Sequence, residues 1–163
     1  MSKTSIVKSS PVSIDLKPKI REPMIALLNA RLADCLDLYS HFKQAHWNVK
    51  GMQFIAIHEL FDRLAAEFLA FTDEIAERIT ALGGYASGTS KDVAQASSLP
   101  EYPHNAVTTT EHLSALVERV AFFGKCVRMG IESSQDDTVT ADLLTEIARA
   151  TDKNLWFLEA HLQ

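Results

Sequence analysis

The chain is short of several things a protein can be built on, and each shortage removes a class of explanation. It has only two cysteines, Cys35 and Cys126, far apart in helical patterns. Such a pair supplies neither a disulfide framework nor a structural zinc site, and reads as reduced thiols in a cytoplasmic protein. No apolar run approaches the ~18 residues of a membrane span. The opening MSKTSIVKSS has no apolar stretch of the kind a secretory signal needs. Basic excess is missing too: the formal net charge is −5, so the folded body is not a phosphate-binding surface. No stretch alternates apolar and polar residues with period two, which leaves no strand to build a sheet from. What is present is 163 residues with 47% hydrophobic content, enough for one domain with a full core.

Residues 1–19 read as a flexible polar tail, with Pro11, Pro18 and four lysines, Lys3, Lys8, Lys17 and Lys19. Residues 20–163 read as one domain. Its first helix is expected to start near Pro23, with a stripe of Leu28, Leu32, Cys35, Tyr39, Phe42, His46 and Val49, and to stop at Lys50–Gly51. A second long helix spans 53–82, with Phe54, Ile57, Phe61, Leu64, Phe68, Ile75, Ile79 and Leu82 on one side and Gly83–Gly84 after it. A connection with Gly88, Pro100 and Pro103 follows, carrying a short helix near 91–97. A third helix opens with a capping box between Thr108 and Glu111. The fourth follows the acidic loop SSQDD. A helix of about 30 residues is about 45 Å long, so the long connection carries the chain back along the bundle. An all-α, ferritin-like four-helix bundle with a long crossover between helices two and three meets these constraints.

The second helix carries the chemistry. At about 100° per residue, with His58 at zero, Asp62 falls at about 40°, Asp73 at about 60° and Glu77 at about 100°. Ile55, Ala66, Leu69, Ala70 and Ala76 share that side, which contains no Lys or Arg. The helix therefore reads as having two buried sides, one of them bearing acids and a histidine. Buried carboxylates need a cation, either a metal or basic groups of another subunit. Imidazole with carboxylate and no thiolate suits iron, manganese or zinc. His58 and Asp73 are about 22 Å apart along one helix, too far for one ion. Packing this side antiparallel against its copy brings His58 and Asp62 of one chain to Asp73 and Glu77 of the other. His46, at the end of the preceding helix, can reach the His58 end. The in-bundle di-iron arrangement needs Glu-x-x-His on two helices, and the only such spacing here, Glu101 to His104, is interrupted by Pro103.

The stretches KQAHWNVKGMQFIAIHELFD and DEIAERITALGG, with YASGTS and DKNLWFLEAHL further on, closely resemble the Dps-type mini-ferritins over roughly residues 20–162. The resemblance implies a hollow dodecamer with ferroxidase sites at two-fold interfaces. His46, His58 and Asp62 would come from one subunit, and Asp73 and Glu77 from its neighbour. It implies oxidation of ferrous iron, preferably by hydrogen peroxide, with oxygen as the other oxidant, storage of ferric mineral, and protection against oxidative stress. Trp47 resembles a near-site tryptophan that is oxidised in place of DNA; an ordinary interface aromatic is the alternative. Asp136, Asp137, Asp142 and Glu146 fall where the family lines an iron-entry pore, or else are helix N-terminal acids that complement the dipole. The rival reading is a nucleoid-condensing DNA-binding protein whose shell is mainly scaffold, which the thin basic tail supports weakly. His41 reads as a surface residue, and His104, His112 and His161 are left without a role.

Overall fold

Five helices run through residues 10–163, the part of the chain that the computed structural model describes. They are α1 (Pro18–Asn48), α2 (Phe54–Ala81), α3 (Ser90–Ala96), α4 (Thr109–Ser133) and α5 (Thr138–Glu159), and no strand occurs among the described residues. The all-α bundle expected from the periodicity is therefore present. Residues 1–9 of the expected tail, with Lys3 and Lys8, lie outside the described part. Residues 10–17 run against the body: Ile14 and Leu16 pack on the core, and the Ser10 N–H donates to the Gly83 carbonyl at 2.9 Å.

α1 starts at Pro18, five residues earlier than the expected Pro23. Pro18 occupies the first turn, where its fixed φ suits a helix and its missing N–H has no partner to lose. Pro23 then lies inside the helix. It forfeits the bond to the Lys19 carbonyl, a cost met by the apolar side that begins at Met24 and Leu28.

α1 pairs with α2, α4 pairs with α5, and α3 lies on α1. The core is built on Phe68. Its ring stacks with Phe42 of α1 at 5.4 Å and meets Phe123 of α4 edge-on at 5.7 Å. Leu28, Leu32, Ile57, Phe61, Leu64, Ile75, Ile79 and Val127 complete this interior. Each such side chain contributes roughly 1.5–3 kcal/mol by leaving water.

Polar contacts fix which helix ends lie together. The Lys50 N–H donates to Val107 at 3.1 Å, so the α1–α2 turn sits beside the start of α4. At the other end Arg78, late in α2, holds Asp137 at the start of α5 at 2.8 Å. The chain between α2 and α4 thus travels the length of the bundle, as the expected crossover must. Side chains of α1 pin it down. Buried Asp34 accepts from the Ser98 N–H at 2.7 Å and from Arg31 at 2.7 Å. Asn29 accepts from the Ser87 N–H at 2.9 Å, and Asp37 from the Ser97 hydroxyl at 2.6 Å.

The Thr108 capping box forms as its spacing predicts. The Thr108 side chain accepts from the Glu111 N–H, and the Glu111 carboxylate accepts from the Thr108 N–H at 2.8 Å. Backbone bonds from Thr108 and Val107, with the Thr108 hydroxyl, hold the Glu111 carboxyl at about 2, below its ordinary 4.5. A depressed folded-state value means this stabilisation is fully present above pH 4.5 and is lost as pH falls toward 2. Glu111→Gln should therefore melt lower than the parent at pH 6. The gap should close as pH is lowered through that window, as read by thermal unfolding of both proteins across the series.

Candidate metal centre

The turn between α1 and α2 is made by two residues with positive φ, Gly51 at 120° and Gln53 at 60°. A Cβ added at Gly51 would meet only the Thr109 hydroxyl, at 3.7 Å. Conformation rather than space reserves that position for glycine. The sharp reversal brings the last turn of α1 against the second turn of α2, and with them His46 and His58.

The two histidines lock reciprocally. His46 Nδ1–H donates to the His58 carbonyl at 2.9 Å, and His58 Nδ1–H donates to the His46 carbonyl at 2.8 Å. The rings stack with centroids 3.7 Å apart and 21° between planes. A carbonyl only accepts, so each Nδ1 must carry the proton. In the neutral ring the lone pair is then on Nε2, the tautomer a metal ligand needs. Among the described residues neither Nε2 has a hydrogen-bond partner.

Asp62 lies one turn beyond His58, with its side chain 55% exposed. The hydrogen bond from Lys43 of α1, at 2.5 Å, holds its carboxyl below the usual carboxylate range. This corrects the sequence reading in one respect. The acid-bearing side of α2 has no basic residue of its own, but the neighbouring helix supplies one. Lys43 precedes His46 by three positions and so shares its side of α1, a signal a reading of α2 alone does not contain.

Asp73 and Glu77 are exposed, and so are Ala66, Ala70, Ile55 at 60% and Leu69 at 46%. Within one chain α2 has a single buried side. The other presents apolar groups and carboxylates to solvent. Among the described residues no three His, Cys, Asp or Glu side chains gather closely enough to hold a metal. The structure brings His46 and His58 together and leaves Asp73 and Glu77 further along the helix. Trp47 is 68% exposed beside them, with the Lys43 ammonium 5.9 Å from its ring.

The acids before α5 divide. Asp136, Asp142 and Glu146 are exposed, whereas Asp137 is buried. Its carboxylate takes both oxygens' worth of contact from Arg78 at 2.8 and 2.9 Å, caps α5 at the Thr140 N–H, and accepts from the Thr140 hydroxyl at 2.6 Å. Burial alone would raise its carboxyl; the bonds from Thr140 and Arg78 outweigh that and hold it low. Asp137 is thus committed inside the chain and is not free to line a pore. His41, expected at the surface, is buried between Asp37 and the Tyr102 ring. His112 is buried on the Tyr102 hydroxyl, while His104 and His161 are exposed. Tyr102 lies in the crossover between Pro100 and Pro103, where no periodicity marks it.

Two paired long helices on each side of a lengthwise crossover define a ferritin-like four-helix bundle, and the ferritin-like domain family matches residues 25–163. The chain is 41% identical over 159 residues to the DNA protection during starvation protein of Agrobacterium fabrum, covering 96% of this chain and 98% of that one. Its structure resembles the Mycobacterium smegmatis Dps tetragonal form with a TM-score of 0.91, 32% identity and coverage of 96% and 95%. DpsC from Streptomyces coelicolor gives a TM-score of 0.91 at 30% identity, with 96% and 92% covered. The chain belongs to the Dps family of mini-ferritins. Iron storage and protection against oxidative stress are the general functions of that family.

The division among the acids is measurable. Asp137→Ala should cost about 2–5 kcal/mol of unfolding free energy, since it strands Arg78 and uncaps α5. Asp136→Ala should stay within about 0.5 kcal/mol. Denaturant unfolding of the two variants checks both values.

Proposed function

We propose that this protein is a ferroxidase and iron store that oxidises Fe(II) with hydrogen peroxide at sites shared between subunits. The observation that carries this reading is the reciprocal bonding of His46 and His58. It holds two imidazoles in the tautomer with Nε2 available to a cation. Ferrous iron is the substrate. His46, His58 and Asp62 would bind it from one subunit, and Asp73 and Glu77 from the partner across a two-fold axis. The exposed Ile55, Leu69, Ala66 and Ala70 around these acids support a covering copy, since isolated chains rarely leave such a patch in water. Family membership supports an assembly, and we take it to be a hollow cytoplasmic dodecamer that collects ferric mineral.

The residues divide the work by charge and position. The imidazoles bind without adding charge, and their carbonyl partners prevent them from turning. Asp62, Asp73 and Glu77 supply the negative charge that favours iron. Lys43 now neutralises Asp62, so cation entry displaces its ammonium, which moves toward Trp47 or water. Two ferrous ions giving one electron each, with two protons from solvent, reduce one peroxide to two waters and become ferric, without releasing hydroxyl radical. Trp47, exposed beside the histidines, would take up a stray oxidising equivalent or pack at the interface. Asp136, Asp142 and Glu146, exposed near the start of α5, would draw iron toward an entry pore.

An inter-subunit site makes an unusual demand. Assemblies made only of His58→Ala chains, or only of Asp73→Ala chains, should both lose the rise in near-ultraviolet absorbance when Fe(II) and peroxide are added. Co-assembled in equal amounts, they should recover about a quarter of the parent's fast phase, because half the two-fold contacts are mixed and each mixed contact keeps one intact site. No recovery in mixed assemblies would place all ligands in one chain.

DNA binding is the second reading, favoured by the relatives' name and by the exposed Lys17 and Lys19 at the start of α1. At physiological salt we expect a weak gel shift that vanishes when residues 1–19 are removed. A shift that survives the truncation would move the contact onto the body.

A further inference from the structure

The buried cluster around Tyr102 takes no part in the reading above. Tyr102 is 7% exposed, and its hydroxyl lies 2.6 Å from Nδ1 of His112, itself 1% exposed. Burial pushes the Tyr102 phenol well above its ordinary value and pushes the His112 imidazole down. The phenol therefore keeps its proton at neutral pH and the imidazole stays neutral. The Tyr102 O–H donates and Nδ1 accepts. His112 Nε2 completes no hydrogen bond among the described residues. The Arg119 guanidinium sits 5.5 Å from the Tyr102 ring centroid.

We propose that Tyr102 and His112 form a proton-coupled redox pair that acts as an internal sink for one-electron oxidants of the hydroxyl-radical class. The Tyr102 ring gives up one electron, and its hydroxyl proton moves along the existing bond to His112 Nδ1. The products are a neutral phenoxyl radical, an imidazolium, and the reduced oxidant, hydroxide in the case of hydroxyl radical. A donor of the ascorbate class returns the electron, and the proton goes back to the phenol.

Three features of the surroundings favour this step over a plain structural hydrogen bond. The Arg119 charge disfavours a ring that loses its electron and keeps its proton, so the two must leave together. The charge of the Glu111 carboxylate and the Asn48 backbone carbonyl both favour a protonated His112 over a neutral one. Tyr102 also lines a groove of ≈ 680 Å³ with His41 and the exposed Trp47, so the phenol and an oxidisable indole that solvent reaches open onto the same groove. The step needs no iron, so it stands apart from the ferroxidase reading.

The test uses the assembled, iron-free protein, oxidised by a laser flash with a ruthenium polypyridyl sensitiser and persulfate and followed by electron paramagnetic resonance. The expected result is a phenoxyl signal that is mostly lost in Tyr102→Phe and retained in Tyr85→Phe, which removes an exposed phenol. His112→Gln keeps an acceptor but not a base. It should slow radical formation and change its hydrogen/deuterium isotope effect. A signal unchanged in Tyr102→Phe, or formed equally fast in His112→Gln, overturns the proposal. If either variant fails to fold, the unmodified protein labelled with 15N-histidine decides the matter. The radical must show a nitrogen coupling to histidine, and its absence overturns the pair.

Discussion

Everything at the working end of this bundle depends on two hydrogen bonds between ring and backbone. α1 ends with carbonyls that have no intrahelical partner, and the His46 carbonyl is one of them. His58 satisfies it, while His46 binds the backbone of α2 in return. The exchange closes the end of one helix, sets the approach of the next, and assigns the proton on both rings. It also decides how α2 is rotated. With His58 turned to α1, the side bearing Ile57, Phe61, Leu64 and Phe68 must face the core, and the side bearing Asp73 and Glu77 must face away.

Two aspartates show how the same residue type is assigned different work by its surroundings. Asp137 has lost its water and is surrounded by donors, Arg78 and Thr140, so it serves the start of α5 and the far end of α2 at once. Asp62 stays mostly in solvent and has a single flexible partner, Lys43. Removing the partner of a buried carboxylate is expensive, whereas an exposed ammonium is displaced at little cost. On that ground Asp62 can answer to an incoming cation and Asp137 cannot. Similar burial governs the histidines: His41 and His112 are enclosed around Tyr102, and His46 and His58 keep their Nε2 edges free.

Much of the fold was legible because local signals agreed with one another. The stripe of α2, the glycine stops at Gly51 and Gly83, and the Thr108–Glu111 box each recur in the structure near the expected places. Two prolines compete for the start of α1, and only the docking of Ile14, Leu16 and Arg21 favours Pro18 over Pro23. The glycine turn between α1 and α2 puts His46 within reach of His58 on sequence grounds alone. The Lys43 contact has no such local signal, since it joins residues nineteen positions apart on different helices. The burial of His41 and His112 was equally hidden: their common partner, Tyr102, lies in the irregular crossover.

By itself the sequence determined the helices, their order, the lengthwise crossover and the grouping of His58, Asp62, Asp73 and Glu77 along one side of α2. These follow from periodicity and capping, which act over a turn or two of chain. The tertiary structure alone decided which of those polar groups are already engaged. It gave Asp62 to Lys43, Asp137 to Arg78 and Tyr102 to His112, and turned Asp73 and Glu77 away from the core of their own chain. The physical reason is that burial and charge pairing depend on what lies across a few ångströms of space, and those neighbours come from helices far apart along the chain.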